Sequence, residues 1–316
     1  MSTPPLVPPI KCQGIKTKLV EEIRALAAQQ DYERWVEPFC GSCVVPLNLQ
    51  PQRALLFDSN IHIIRLYQDI QAGRLTAPMA KAFLTEEGEK LRTRGEDYFY
   101  EVRQRFNDGP SSLDFLFLNR SCFNGVMRFN RSGKFNVPFC RKPDRFAVQY
   151  VSKITNQLRR IGEVIANKDW TFEAADFRAA LAKVKPGDFV YADPPYAGRH
   201  VDYFNSWSEK DENDLAERLK QVPCKFILST WHSNEFRTNL LLEQNWTGPR
   251  FQLFTRQHFY HVGSTEDLRH PMTEALVTNL SGVRYTTTQP ALEQMAFFEK
   301  PADDYGATAP KAPGKS

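Results

Sequence analysis

The sequence predicts an α/β fold built on a parallel-type sheet and interrupted by an inserted basic domain. Short apolar runs alternate with amphipathic stretches, which is the order of elements that builds such a sheet. Between residues 74 and 150 this alternation gives way to charged helical stretches and then to a basic segment rich in Asn and Phe. It resumes afterwards and continues to Thr278. A chain of 316 residues also favours one large domain or one domain with an insertion.

The elements before the insertion resemble the first half of a nucleotide-binding sheet. Apolar residues fall on one face of a helix over residues 16–28. Strands are predicted over residues 34–39 and 54–57, and a helix over residues 61–71. The first strand ends in the turn Cys40-Gly41-Ser42. This strand, turn and strand order is typical of nucleotide-binding α/β folds.

The elements after the insertion continue the same alternation. Strands are predicted over residues 170–174, 189–192, 225–229 and 274–278, and helices over residues 209–221 and 234–244. Ser208 followed by Asp211 forms the start signal of the first of these helices. Residues 286–316 are rich in Pro and Ala with little periodicity, which predicts a flexible tail.

Basic charge is concentrated in one part of the chain, although the formal net charge is only +4. Residues 118–160 contain ten basic residues and one acid, Asp144, with phenylalanines between them. Such a segment favours a surface for a polyanion over an ordinary solvated cationic face. The basic residues are Arg120, Arg128, Arg131, Lys134, Arg141, Lys142, Arg145, Lys153, Arg159 and Arg160.

The six cysteines predict neither disulfides nor a metal site. The sequence shows no secretory signal and no apolar run near ~18 residues, so we expect a cytoplasmic protein with reduced thiols and no membrane span. Cys40-Gly-Ser-Cys43 matches C-x-x-C, but no second Cys or His pair at zinc spacing accompanies it. We therefore expect no metal.

The tetrapeptide Asp193-Pro194-Pro195-Tyr196 carries the strongest chemical signal. It follows a predicted buried strand, and its two prolines must end that strand in a turn. Ligands of open α/β sheets bind at the carboxyl ends of the strands. Asp193 and the Pro194 carbonyl can each accept one N–H of an amino group, and the Tyr196 ring can stack on a base. The alternative is an ordinary strand terminator followed by a common turn residue.

A glycine turn and a strand-end acid predict a nucleotide-type ligand. Gly41 lets the backbone approach a ligand closely because it lacks a Cβ. Asp58 follows 17 positions later at the end of the next strand, near the ~20-residue offset of an acid that binds a ribose. The G-x-G-x-x-G fingerprint is absent, which disfavours a dinucleotide. Each feature taken alone also fits an ordinary turn.

Taken together and in order, these segments resemble the Dam-like (alpha-group) DNA N6-adenine methyltransferases over roughly residues 10–280. The segment 124–139 is the most specific match, since it distinguishes this group from other amino-methyltransferases. The other segments are Lys11-Cys-Gln-Gly-Ile-Lys16, Glu37-Pro-Phe-Cys-Gly-Ser42, Phe57-Asp-Ser-Asn60, Ala175-Asp-Phe177, the tetrapeptide Asp193-Pro-Pro-Tyr196 and Thr273-Glu-Ala-Leu-Val-Thr-Asn279.

The resemblance implies a Rossmann-like methyltransferase domain that uses S-adenosylmethionine and carries an inserted, mainly helical target-recognition domain with a β-hairpin. The implied catalytic domain covers residues 10–70 and 151–285, and the target-recognition domain covers residues 71–150. The implied catalytic residues are Asp193, Pro194, Pro195 and Tyr196. The implied cofactor-binding residues are Cys12, Lys16, Phe39, Gly41, Asp58, Asp176, Phe177 and Asp193. The implied DNA-binding residues are Lys11, Asn124, Arg128, Asn130, Arg131, Lys134 and Asn136.

The expected activity is methyl transfer to N6 of a flipped-out adenine in double-stranded DNA by a monomer. A restriction endonuclease is expected as a functional rather than a physical partner. N4-cytosine methylation uses the same amine chemistry and stays open, as does methylation of RNA or of a protein amide. Cys12, Ile15 and Cys43 depart from the family pattern, so a nucleic-acid-binding protein with a degenerate cofactor site is a further alternative.

Overall fold

The computed structural model describes residues 4–196, 207–234, 236–259 and 271–281, with the side chains of residues 257–259 and 271–272 left out of the description. The described residues belong to one compact unit. The predicted tail, residues 286–316, lies outside the described residues, as do residues 282–285 at the end of the predicted catalytic domain. No described helix is both long and apolar enough to cross a membrane.

Seven strands form one sheet in the order β3-β2-β1-β4-β5-β7-β6. Strands β1 to β5 pair in parallel, whereas β7 is antiparallel to both β5 and β6. The strand order reverses between β1 and β4, and this reversal is where open α/β sheets bind their ligands. The strands are β1 (Arg34–Glu37), β2 (Arg53–Asp58), β3 (Asp169–Ala174), β4 (Asp188–Ala192), β5 (Lys225–Asn234), β6 (Gln252–Phe259) and β7 (Pro271–Thr278).

Helices cover the sheet and form the insertion. Every residue of the central strand β4 is buried, as expected for a parallel strand covered on both faces. The helices are α1 (Val20–Ala27), α2 (Val44–Leu49), α3 (Ile61–Gln71), α4 (Ala77–Arg94), α5 (Glu96–Asp108), α6 (Ser112–Ser121), α7 (Val148–Ala166), α8 (Phe177–Leu181), α9 (Glu209–Gln221) and α10 (Leu240–Asn245).

The predicted α/β fold class is confirmed, and two predicted helices agree with the structure at both ends. These are Ile61–Gln71 and Glu209–Gln221, the second of which begins with the capping box of Ser208 and Asp211. Sequence reasoning did not predict α2, α7 or β6. The helix predicted over residues 234–244 is wrong in its first half, because β5 continues to Asn234 along β7 and the helix begins only at Leu240.

The expectation of a parallel-type sheet is wrong at one edge. β7 lies between β5 and β6 and runs against both, with Trp231 of β5 and Arg256 of β6 opposite Glu274. An antiparallel strand begins at the edge where its parallel neighbours end. The early residues of β7 therefore lie at the carboxyl ends of the parallel strands, and they bring Glu274 to that edge.

The insertion is mainly helical and carries an irregular hairpin. Its helices α4, α5 and α6 lead to isolated antiparallel bridges, Cys122 with Phe139 and Phe129 with Phe135. Asn130 shapes the hairpin turn, because its Oδ1 accepts the backbone N–H groups of Ser132 at 3.0 Å and Lys134 at 2.9 Å. The following helix, α7, crosses the boundary that the sequence placed between residues 150 and 151.

Contacts from α6 and from the hairpin connect the insertion to the N-terminal segment and to α3. The Asn119 carboxamide accepts the Lys11 N–H at 2.7 Å and donates to the Lys11 carbonyl at 2.9 Å. The His62 ring, at the start of α3, stacks on the Phe129 ring with their centroids 5.0 Å apart. Burial lowers the pKa of His62 to about 4, so the ring packs as a neutral imidazole.

The contact between Gly125 and Lys11 predicts an unequal cost for two glycine substitutions. Both Gly125 and Gly133 have positive φ, at +67° and +73°. A Cβ on Gly133 would meet open space, so Gly133→Ala should cost about 1–2 kcal/mol from the left-handed backbone alone. A Cβ on Gly125 would lie 2.6 Å from Lys11 Cβ, so Gly125→Ala should cost about 1–3 kcal/mol more from overpacking.

Urea unfolding of the two variants measures this difference. Equal free energies of unfolding for Gly125→Ala and Gly133→Ala would mean that the segment around Lys11 does not pack against the hairpin.

Candidate active site

Three turns meet at the carboxyl edge of the sheet, after β1, β2 and β4. These strands are neighbours in the order β2-β1-β4, so their ends lie side by side. The turn after β1 contains Gly41, Asp58 ends β2, and Asp193 follows β4. The residues that the sequence predicts for the cofactor and for the amino group therefore lie at one crevice, where the strand order reverses.

Asp58 holds the glycine turn in place. Its Oδ2 accepts the Gly41 N–H at 2.9 Å, and its Oδ1 accepts the Asn60 N–H at 2.8 Å. Burial raises the pKa of Asp58, and the two backbone donors partly offset that rise. Gly41 has a φ of +47°, which favours glycine. Each carboxylate oxygen keeps a second lone-pair direction, so Asp58 can still accept hydrogen bonds from a ligand.

Cys12 forms one wall of the crevice. A Cβ on Gly41 would lie 3.6 Å from the Cys12 sulfur, so the thiol faces the glycine turn. Burial, together with the charges of Asp58 and Asp193, raises the pKa of Cys12 to about 12. Both carboxylates are close enough to act on the Cys12 thiol. The thiol is therefore protonated and contributes an apolar surface.

An aromatic cluster borders the crevice on the side of β1 and α8. The Phe39 and Phe177 rings stack with centroids 5.5 Å apart, and Trp207 packs against both rings. Asp176 caps α8 by accepting the Arg178 N–H at 2.9 Å, and it also forms an ion pair with Arg178. Phe39 and Phe177 thus offer flat apolar surface, whereas the Asp176 carboxylate is already used by its own helix.

The tetrapeptide after β4 forms a polar cluster with Lys16. The Lys16 ammonium lies 3.1 Å from Asp193 Oδ1 and 4.9 Å from the centroid of the Tyr196 ring. It also donates to the Gly14 carbonyl at 3.0 Å. The Lys16 side chain is only 4% exposed. Burial and the charge of Glu274 raise the pKa of Asp193, Lys16 opposes the rise, and the resulting pKa is about 6.

Glu274 is the site residue to which sequence reasoning gave no role. Its Oε1 accepts the Tyr196 hydroxyl at 3.3 Å and lies 3.7 Å from the Lys16 ammonium. The side chain is 3% exposed. The sequence did show an acid inside an otherwise apolar strand, which is unusual. Only the antiparallel direction of β7 places that acid at the carboxyl edge of the sheet, beside Asp193.

A second buried acid, Glu37, lies at the end of β1. It accepts the Trp35 indole N–H at 2.7 Å. Burial raises its pKa well above the usual range, with Asp193 adding to the rise. Burial thus favours the neutral form of Glu37 behind the crevice.

The residues predicted to contact DNA lie in or beside the hairpin, and they differ in exposure and in hydrogen bonding. Arg131 and Lys134 are exposed at its tip, and Asn124 is exposed with a φ of +52°. The Arg128 guanidinium donates from Nε to Asn136 Oδ1 at 2.9 Å, so these two residues form one pair. The Asn130 Oδ1 atom shapes the turn, so the carboxamide N–H₂ is the part of Asn130 suited to a base contact.

The crevice combines features that suit transfer of a group to an amine. It offers a partly buried carboxylate and an aromatic ring for the acceptor amine, and a glycine turn with strand-end acids for a nucleotide-like donor. Among the described residues, no three His, Cys, Asp or Glu side chains form a group that could hold a metal ion. The fold and the site thus define a Rossmann-like group-transfer enzyme with an insertion beside its active site.

Comparison with known proteins identifies the family. Residues 13–262 match the family described as D12 class N6 adenine-specific DNA methyltransferase. The chain is 31% identical to the Retron Ec67 DNA adenine methylase of Escherichia coli, over 67% of this chain and 71% of that protein. It is 32% identical to the DNA adenine methylase of Serratia marcescens, over 71% and 82%. It is 28% identical to the modification methylase StsI of Streptococcus sanguinis, over 86% of this chain but 42% of that protein.

The chain belongs to the D12 class N6 adenine-specific DNA methyltransferases. It is a site-specific DNA methyltransferase that acts on adenine. The predicted family, enzyme class and activity are confirmed, and the family favours N6 of adenine over the N4-cytosine alternative.

The raised pKa of Asp193 predicts how the stability of the enzyme depends on pH. A carboxyl group with a raised pKa binds its proton more tightly in the folded state than in the unfolded state. Its favourable contribution is complete below its ordinary pKa of 3.8 and is lost as the pH rises through about 6. Wild type should therefore lose stability relative to Asp193→Asn between pH 4.5 and pH 7.5.

Denaturant midpoints of both proteins across that range measure the effect. A difference between the two proteins that stays constant with pH would show that Asp193 titrates at its ordinary value.

Proposed function

We propose that the enzyme transfers the methyl group of S-adenosylmethionine to N6 of an adenine flipped out of duplex DNA into the crevice beside Asp193 and Tyr196. This proposal depends on one observation. The Asp193 carboxylate and the Tyr196 ring lie side by side at the crevice, where the Lys16 ammonium contacts both. A flipped aminopurine would need an acceptor for its amino N–H groups and an aromatic ring to stack on. Asp193 and Tyr196 lie close enough together for one N–H donor, Lys16, to contact both.

The chemistry of the crevice fits S-adenosylmethionine. The glycine turn at Gly41 leaves room for close approach to the backbone, and Phe39 with Phe177 offers apolar surface for an adenine ring. Asp58 keeps acceptor capacity suited to ribose hydroxyls. The Lys16 ammonium, predicted as a cofactor ligand, is instead engaged by Asp193 and Glu274. Cys12 adds an apolar wall. The bound donor supplies an activated methyl group with its own leaving group, so this chain need only bind and orient the reactants.

Asp193 would activate the acceptor nitrogen. The amino lone pair of adenine is delocalised into the ring, which makes it a poor nucleophile. Hydrogen bonds from its two N–H groups to Asp193 and to the Pro194 carbonyl would draw the nitrogen towards tetrahedral geometry. The carboxylate would also stabilise the positive charge that develops on nitrogen. Asp193 must be ionised for this task, and Lys16 favours that state by opposing the rise in its pKa.

The buried position of Tyr196 supports base flipping. The Tyr196 ring is 8% exposed and lies with Asp193 in the crevice of the sheet. A base stacked inside a duplex cannot reach such a depth, so the target adenine must leave the helix. Pro194 and Pro195 stiffen the connection between Asp193 and Tyr196, which limits the freedom of both groups.

The hairpin of the insertion is the proposed DNA-reading element. Residues 71–150 would form the target-recognition domain, and residues 10–70 with 151–285 the catalytic domain. Arg131 and Lys134 are exposed and suited to phosphates. Arg128 and Asn136, paired with each other, are suited to base edges once DNA replaces that pairing. Asn124, Asn130 and Lys11 would complete the surface, since Lys11 packs against the hairpin.

We also propose that the enzyme works as a cytoplasmic monomer on double-stranded DNA. A restriction endonuclease of the same site specificity would be a functional partner. The similarity to the modification methylase StsI supports that partner.

Asp193→Asn should reduce methylation of duplex DNA at least about 100-fold, because the amide cannot stabilise developing charge as the carboxylate does. A matched control is Asp188→Asn, at the opposite end of the same strand. Asp188 is also buried and paired with a cation, with Arg34 Nη2 at 2.8 Å from its Oδ2. This control should lose stability but keep its rate per folded molecule.

Incorporation of a labelled methyl group gives the rates, and mass analysis of digested nucleosides identifies the product. N4-methylcytosine as the product, or near-normal methylation by Asp193→Asn, would contradict the proposed function.

Gly41→Ala should weaken binding of S-adenosylmethionine about tenfold or more, since the added methyl group occupies the space through which the donor approaches the turn. The new Cβ would lie at ordinary contact distance from the Cys12 sulfur, so the cost in stability should be that of a left-handed backbone, about 1–2 kcal/mol, as for Gly133→Ala. Gly133→Ala has the same sign of φ and lies in the hairpin, so its affinity for the donor should match wild type. Isothermal titration measures both, and equal affinities would place the donor elsewhere.

A further inference from the structure

We propose that Lys16 occupies the base-binding position in the free enzyme and that Glu274 is the second acceptor onto which the Lys16 ammonium moves when the target adenine enters. Glu274 is thus a positioning residue for base entry. This inference rests on the proposed function, since it takes Asp193 and Tyr196 as the groups that bind the flipped base.

The first observation is that Lys16 contacts both groups that the base needs. Its ammonium lies 3.1 Å from Asp193 Oδ1 and 4.9 Å from the centre of the Tyr196 ring. An ammonium and an exocyclic amino group are both N–H donors, so they compete for the same carboxylate. A cation beside the ring also competes with a base that stacks on it. The adenine and the Lys16 ammonium therefore cannot occupy these positions together.

The second observation is that Lys16 needs a counter-charge wherever it lies. The side chain is 4% exposed, and a buried ammonium without a carboxylate is strongly disfavoured. A base that displaced Lys16 from Asp193 would leave this charge uncompensated unless another acid were within reach. Entry of the base would then be costly.

The third observation is that such an acid is in place. Glu274 Oε1 lies 3.7 Å from the Lys16 ammonium, only slightly farther than Asp193 Oδ1. Glu274 is 3% exposed, and the Tyr196 hydroxyl donates to the same Oε1 atom at 3.3 Å. A small rotation of the Lys16 side chain is enough to exchange one carboxylate for the other. Both acids then stay compensated, Asp193 by the amino group and Glu274 by Lys16.

The test compares Glu274→Gln with wild type in single-turnover methylation of two duplexes. In one duplex the target adenine is paired with thymine, and in the other it faces an abasic site, which lowers the cost of flipping. Glutamine keeps an acceptor for the Tyr196 hydroxyl but loses the charge that receives Lys16. Because flipping costs little opposite an abasic site, base entry should limit the rate mainly on the paired duplex. A charge-assisted hydrogen bond is about twice as strong as a neutral one, so the paired-to-abasic rate ratio should fall about tenfold.

Lys16→Met is the second variant, and it should move the same ratio in the opposite direction. Without the ammonium no group competes with the base, so the paired duplex should react at a rate closer to that of the abasic duplex.

The matched control for Glu274→Gln is Glu87→Gln. Glu87 is another buried acid that accepts from a tyrosine hydroxyl, Tyr98 at 2.7 Å, and from a lysine, Lys90 at 2.8 Å. The paired-to-abasic rate ratio of Glu87→Gln should equal that of wild type.

Three results separate the outcomes. A wild-type ratio in Glu274→Gln, or an equal loss of rate on both duplexes, overturns the role of Glu274. A ratio that shifts the same way in Lys16→Met and Glu274→Gln overturns the competition between Lys16 and the base. Full activity of Asp193→Asn on either duplex would instead overturn the proposed function itself.

Discussion

The ion pair between the buried Lys16 and the partly buried Asp193 is the interaction on which the proposed active site depends. It joins the N-terminal segment to the end of β4, and Glu274 adds β7 to the same cluster. Buried ion pairs seldom contribute much net stability, because desolvation offsets the attraction. The value of this pair lies in keeping a carboxylate charged and oriented where burial alone would favour its neutral form. Part of the free energy of folding is thus spent on holding Asp193 charged and oriented beside Lys16.

The same N-terminal segment also connects the proposed active site to the hairpin that we propose reads DNA. Lys11 exchanges hydrogen bonds with Asn119 and packs against Gly125, and Lys16, one short segment later, contacts Asp193. A shift of the hairpin on DNA would therefore act directly on the chain that carries Lys16. Asp58 has a comparable double role, since it fixes the glycine turn and leads through Asn60 into α3, whose His62 stacks on the hairpin. Donor, base and target-recognition surfaces share one framework.

Local patterns were sufficient for most of the sheet and for the position of the tetrapeptide. Two prolines after a buried apolar run must end a strand, so the place of Asp193 follows from the sequence. The direction of β7 does not, because periodicity is the same for parallel and antiparallel strands, and Glu274 was missed for that reason. Lys16 was predicted as a cofactor ligand, whereas its pairing with Asp193 depends on distant segments. Asn130 has a residue type suited to DNA, yet its oxygen serves the hairpin turn.

A crystal structure of the enzyme with duplex DNA and S-adenosylhomocysteine tests the central claim most directly. The decisive measurement is the position of the target adenine N6 and of the Lys16 ammonium. We expect N6 within hydrogen-bonding distance of Asp193 and of the Pro194 carbonyl, with the adenine ring stacked on Tyr196 and Lys16 beside Glu274. An adenine bound away from Asp193, or a Lys16 ammonium still on Asp193 with the base in the crevice, would contradict it.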